Sequence, residues 1–192
     1  METELIHRPK RAHRLPNVLN KEEVKAILNA HGNLKHKAML SLIYSCGLRR
    51  SELLNLKLND IDKKRGLIIV KQAKGKKDRI VPLGEKLLVL LDSYLESYKP
   101  KEWLFEGQPA GTAYDESSLA AVLKQAVQKC KINKAVTLHW LRHSYATHLL
   151  EGGTDLRYIQ ELLGHSRSTT TEIYTHVSTK SLQKVISPFD TL

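Results

Sequence analysis

Cysteine is nearly missing from this chain: Cys46 and Cys130 are the two it has in 192 residues. Two isolated thiols make no disulfide framework and have no metal-site spacing, so the chain suits a reducing interior. Long apolar runs are missing too, and none exceeds five residues, as at Leu87 to Leu91. A membrane span needs about 20, and the Met-Glu-Thr-Glu start has neither the basic nor the apolar block of a secretory signal. The expectation is a cytoplasmic protein with no membrane partner. A nucleotide-binding loop is also missing, because Lys74-Gly-Lys-Lys lacks the Gly-x-x-x-x-Gly-Lys-Ser/Thr spacing.

Acid is in short supply. Asp and Glu total 20 against 31 Lys and Arg, a formal charge of +11. Such an excess favours a polyanionic partner, most simply nucleic acid. At 41% hydrophobic and 27% charged residues the chain is globular in composition, which excludes wholesale disorder and a fibre. Its length is that of one domain, able to bury roughly 70% of its unfolded surface.

Residues 1–14 hold His7, Arg8, Lys10, Arg11, His13 and Arg14 with little apolar content, and read as a basic linker or tail. Asn20 and Glu23 form a capping-box pattern ahead of Val24, Ile27 and Leu28, which starts a first helix. A second helix is expected from Leu34 to Cys46, stopped by Gly47, and a third from about Arg49. The helical period then breaks. Residues 66–71 and 79–82 are β-rich, and the polar stretch between them, 73–78, reads as a hairpin turn. Helical spacing returns over 85–98, 116–130, 138–150 and 155–163, with a shorter stretch at 170–176 and a last amphipathic segment around Leu182 and Val185. The expected class is α+β, mainly α-helical, with one small antiparallel sheet.

Several residue groups can carry chemistry. His139 and Arg142 lie three apart on one helix, so both leave the same face and can grip one phosphate; an isolated His-x-x-Arg is most often only a solvated face. His139, His143 and His148 invite a zinc reading, but no Glu follows the first His, and nine residues carry His148 to another face. Arg49 projects from the junction after Gly47, with Glu52 one turn on to orient it, a pattern that also occurs as an ordinary surface ion pair. The turn holds Lys74, Lys76 and Lys77, flanked by Lys71 and Arg79, and reads as a basic finger able to enter a DNA groove. His165 precedes Tyr174 by nine residues; a lone tyrosine there is normally half-buried packing.

Taken together and in order, Gly-Leu-Arg-x-Ser-Glu, the Lys-Gly hairpin ending in Val-Pro-Leu-Gly, His-x-Leu-Arg-His, Leu-Gly-His and the later Tyr resemble the tyrosine site-specific recombinases, of the Xer type and the integron and phage integrases. The resemblance covers about residues 15–177, and its motifs are far more specific jointly than singly. It implies the catalytic-domain fold of that family. It also implies catalytic roles for Arg49, Lys74, His139, Arg142, His165 and Tyr174, with Glu52 at an accessory acidic position. Arg50 stands where the family usually has an aliphatic residue, and Arg167 lies between His165 and Tyr174; with Lys71, Lys76, Lys77 and Arg79 they are expected to contact DNA.

Further implications concern the activity and the assembly. The family cleaves double-stranded DNA through a 3′-phosphotyrosyl link and rejoins it without metal or ATP, so no cofactor and no small-molecule substrate are expected. Four cleavages on two duplexes imply a homotetramer on DNA; the state off DNA is left open, with a monomer among the options. Residues 178–192 are then a tail that docks on a neighbouring protomer. The family's N-terminal core-binding domain is not in this chain, which reads as a catalytic-domain fragment. In the chemistry expected, Arg49 and Arg142 clamp the phosphate and His139 and His165 donate further hydrogen bonds. Tyr174 attacks with His139 as leading base, and Lys74 protonates the leaving oxygen. Two other readings stand beside this one: relaxation of DNA as by a type IB topoisomerase, and a DNA-binding protein without chemistry.

Overall fold

A computed structural model describes residues 16–73, 77–165, 169–172 and 174–175; the side chains of 72, 73, 77 and 169 are outside that description. Helix α1 (Lys21–Asn29) opens on the reciprocal cap expected: Asn20 accepts from the Glu23 amide at 2.7 Å and Glu23 accepts from the Asn20 amide at 2.9 Å. Helix α2 (Leu34–Cys46) is the centre of the fold. Ala38, Met39, Leu40, Leu42, Ile43 and Cys46 are all fully buried, because α1, α4 (Glu85–Tyr98), α5 (Glu116–Lys129) and α6 (Leu138–Glu151) surround it. Past its basic first turn at Lys35, His36 and Lys37 the helix is apolar on nearly every side and has to be enclosed in this way.

Gly47 ends α2 with φ +57, and a Cβ there would lie 2.6 Å from the Tyr145 ring. Only glycine meets both demands. The chain then reverses into α3 (Arg50–Leu54), a 3₁₀ turn (Leu58–Asp60) and a three-stranded antiparallel sheet of β1 (Ile61–Asp62), β2 (Leu67–Ala73) and β3 (Lys77–Pro82), in that order. Strand β1 was not expected, since two residues display no period. The β2–β3 register pairs Ile68 with Val81 and Val70 with Arg79, and these four side chains form the buried face. Ile69 and Ile80 occupy the other face, where Ile80 is exposed.

The last described elements are α7 (Leu156–Leu163), capped by Asp155, and the short α8 (Thr169–Glu172). Helix bounds agree with the sequence expectations to within a residue or so, except at α8, which starts one residue earlier and stops sooner. The turn residues Lys74 and Lys76, Arg167, the amphipathic segment at Leu182 and Val185, and the tail 178–192 lie outside the described residues. Among the described residues, no helix is long and apolar enough to cross a membrane.

Candidate active site

Arg49 occupies the N-cap position of α3, where the turn at Gly47 aims it. Its backbone amide donates to Glu52 Oε2 at 2.8 Å, and its Nη1 donates to Glu52 Oε1 at 2.6 Å. About a quarter of the Arg49 side chain stays exposed (24%), so its other N–H groups face a cleft of about 510 Å³ lined in part by Leu48, Arg50, Ser51, Val136 and His139. Glu52 is buried and serves a second arginine. Arg79 of β3 donates Nη1 and Nη2 to the two Glu52 oxygens at 2.8 and 2.7 Å, and its Nε donates to the Leu162 carbonyl at 2.7 Å. Burial works to raise the Glu52 carboxyl, but the hydrogen bonds and charge of Arg79, with those of Arg49, outweigh it and hold the group at about 2.

Arg142 of α6 is 1% exposed, and its guanidinium joins three parts of the chain. Nη1 donates to the Gly47 carbonyl, Nη2 donates to the Leu163 carbonyl at 2.7 Å, and Nη2 also lies 3.1 Å from His165 Nε2. Glu52 Oε2 is 3.7 Å away. Desolvation, and then the charge of Arg49, pull Arg142 down to about 9, with Glu52 opposing, so it stays charged at neutral pH. A guanidinium can only donate, which makes His165 Nε2 the acceptor and puts the imidazole proton on Nδ1, where it donates to Thr171 Oγ1 at 2.9 Å. Burial, with the positive charges of Arg142, Arg49 and Arg79, pushes His165 down to about 3. In this arrangement His165 braces Arg142.

Tyr174 follows α8 and is 1% exposed. Its ring stacks on that of His165 with centroids 6.4 Å apart, and its hydroxyl lies 2.9 Å from His143 Nδ1. Burial raises the phenol above its ordinary pKa, with Arg142 and Arg49 pulling the other way. His139, the base expected, meets the His143 ring edge-on at 4.2 Å and lines the Arg49 cleft. Desolvation, then the charges of Arg142 and Arg49, lower it. The tyrosine's hydrogen-bond partner among the described residues is therefore His143. The sequence reading has His143 in a zinc group and as the last residue of His-x-Leu-Arg-His, without a catalytic role; its spacing of four from His139 is the signal that puts it on this face.

Five of the six expected catalytic residues, with Glu52, come together here: Arg49, His139, Arg142, His165 and Tyr174. The sixth, Lys74, lies outside the described residues, as do the side chains of Lys76, Lys77 and Arg167. One of the DNA-contact expectations is corrected. Arg79 is no part of a basic finger, because it sits opposite Val70 on the buried face of the sheet and is committed to Glu52 and Leu162. Lys71 is exposed on β2 and paired with Asp60 at 2.6 Å, and Arg50 is half-exposed and paired with Glu116 at 2.7 Å. The zinc reading finds no support. His148 bonds Tyr44 at 2.9 Å, away from His143, and among the described residues no group of three His, Cys, Asp or Glu is placed to hold a metal.

Residues 17–181 match the phage integrase family. The chain is 42% identical over 188 residues to tyrosine recombinase XerA of Pyrococcus horikoshii, covering 96% of this chain and 65% of that protein. It is 40% identical over 199 aligned positions to tyrosine recombinase XerD of Staphylococcus aureus, covering 97% and 67%. Among solved structures, XerA recombinase superposes with a TM-score of 0.81 at 35% identity, over 90% of this chain and 64% of that one. XerH site-specific recombinase, bound to its palindromic difH substrate in a post-cleavage complex, gives 0.81 at 29% identity, over 92% and 54%. The chain thus spans about two thirds of the length of these curated relatives. By the family match and by these relatives, the chain belongs to the phage integrase family and is a catalytic domain of the tyrosine recombinase kind.

Proposed function

We propose that this chain cuts and rejoins double-stranded DNA at specific sites, with Tyr174 as nucleophile and a 3′-phosphotyrosyl intermediate. One observation carries the reading: guanidiniums from α3 and α6 and imidazoles from α6 and the end of α7 gather beside a single buried phenol. A phosphodiester gains negative charge on its non-bridging oxygens as a fifth oxygen approaches phosphorus, and preorganised cations lower that barrier. Arg49 and Arg142 suit the clamp because each guanidinium is charged at neutral pH and forked. They act where other phosphoryl-transfer sites use metal ions.

The phosphotyrosyl link conserves the energy of the broken bond, so another 5′ hydroxyl can reseal the strand without ATP. Lys74, which the sequence puts between β2 and β3, gives the leaving O5′ its proton, and Lys76 and Lys77, two and three residues on in sequence, make that proton easier to release. His139, next to Arg49 in the cleft, donates to a phosphate oxygen. Arg50 and Lys71 hold neighbouring phosphates, joined by Lys76, Lys77 and Arg167. Exchange between two duplexes calls for four protomers, and the setting is the cytoplasm, on chromosomal DNA.

The test uses a pool of nicked duplexes with randomised sequence, from which denaturing electrophoresis captures those joined to the protein. Recovered sites are then cloned in pairs on a plasmid. Deletion or inversion between them supports recombination; relaxation of the plasmid without recombinants points to topoisomerase action; no adduct from any pool leaves a DNA-binding protein.

A further inference from the structure

We propose that His143 is the general base that takes the hydroxyl proton of Tyr174. The inference rests on the strand-cleaving function proposed above and adds a residue to it. The Tyr174 hydroxyl is 2.9 Å from His143 Nδ1, within direct transfer distance, and among the described residues no other imidazole is hydrogen-bonded to it. His143 belongs to α6, the helix that supplies Arg142, so base and clamp share one rigid element. Both rings are held from the side, His143 by the edge of His139 at 4.2 Å and Tyr174 by His165 at 6.4 Å.

The charge environment keeps His143 neutral until a substrate arrives. The groups facing His143 are His139 and Arg142 on its own helix, Tyr174 after α8 and His165 after α7. Burial, then His139 and Arg142, lower His143 to about 4, which keeps Nδ1 free to accept at neutral pH. Arrival of a negatively charged phosphate beside it favours the imidazolium at the moment the proton moves. In the step itself the bond from Tyr174 Oη to phosphorus forms and the bond from phosphorus to O5′ breaks. The Oη proton passes to His143 Nδ1, and the O5′ alkoxide takes a proton from the Lys74 ammonium. Both transfers reverse on rejoining.

The experiment measures single-turnover formation of the covalent adduct against pH, on a nicked duplex recovered from the randomised pool. It compares wild type with His143→Asn, whose Oδ1 can accept the phenol hydrogen bond but binds no proton. The wild-type rate is expected to be flat between pH 6 and 8.5. The variant is expected to be about 10²- to 10³-fold slower at pH 7, with unchanged DNA affinity, and to rise about tenfold per pH unit as the phenol ionises by itself. His143→Gln repeats the comparison if the Asn variant melts early. An adduct rate within threefold of wild type, or two pH profiles that run parallel, overturns the role of His143 and leaves the proposed function standing. Failure of the wild-type protein to form any adduct overturns both.

Discussion

Both oxygens of Glu52 accept hydrogen bonds from Arg79, at 2.8 and 2.7 Å, so a buried fork ties strand β3 to helix α3 beneath Arg49. Removing one member of a buried pair leaves the other charge without compensation, at a cost of about 3–5 kcal/mol. Glu52→Gln is therefore expected to destabilise the fold by about 3 kcal/mol, read as a lower urea midpoint at unchanged slope. It should also slow adduct formation, because Arg49 loses its anchor. An unchanged midpoint contradicts the hub role.

Arg79 and Lys71 separate a buried cation from one available to DNA. Lys71→Ala is expected to reduce the slope of log affinity against log salt by about one. Arg79→Ala is expected to leave the slope alone and to lower stability by about 2–3 kcal/mol, because the buried Glu52 loses its two-pronged partner and keeps only Arg49 and the more distant Arg142. Binding measured from 50 to 200 mM salt decides it. An equal loss of slope in both variants returns Arg79 to the DNA surface.

Gly47→Ala tests the turn that aims Arg49. The backbone is left-handed there, and the added Cβ would meet the Tyr145 ring at 2.6 Å. Left-handed strain and overpacking together predict a loss of about 2–4 kcal/mol. Because the Gly47 carbonyl also accepts from Arg142, cleavage should slow as well. Thermal melting and adduct formation on the same sample check both effects.

Acid should unfold this protein early. His143 and His165 sit at about 4 and about 3 in the fold, below their ordinary 6.5, so from pH 6.5 downward the unfolded chain binds protons the folded one does not. Stability is present above pH 6.5 and is lost as the pH falls toward 4. Glu52, at about 2 instead of 4.5, continues the loss from pH 4.5 downward. Calorimetry at pH 5 should find His143→Asn taking up nearly one proton fewer on unfolding than wild type. Equal uptake contradicts a neutral, buried His143.

Most helices were legible because their caps and periods are local: Asn20 with Glu23, the apolar α2, Gly47. So was the gathering of Arg49, Glu52, His139, Arg142, His165 and Tyr174 in one place, through a motif order that composition and period do not contain; their catalytic roles are the proposal. What escaped was side-chain direction. Arg79 lies two residues from Val81 and so shares its face, an alternation that the run of neighbouring cations concealed. His143 was visible as a face-mate of His139, but which of them meets the tyrosine depends on where Tyr174 rests against α6, and that is set by contacts between residues far apart in sequence.

The most direct measurement is the mass of the cross-linked peptide. Adduct formed on a nicked duplex is digested with nuclease and protease, and fragmentation locates the nucleotide. The account predicts a 3′-phosphonucleotide on Tyr174 and no adduct from Tyr174→Phe. A nucleotide on any other side chain, or undiminished adduct from the Phe variant, contradicts it.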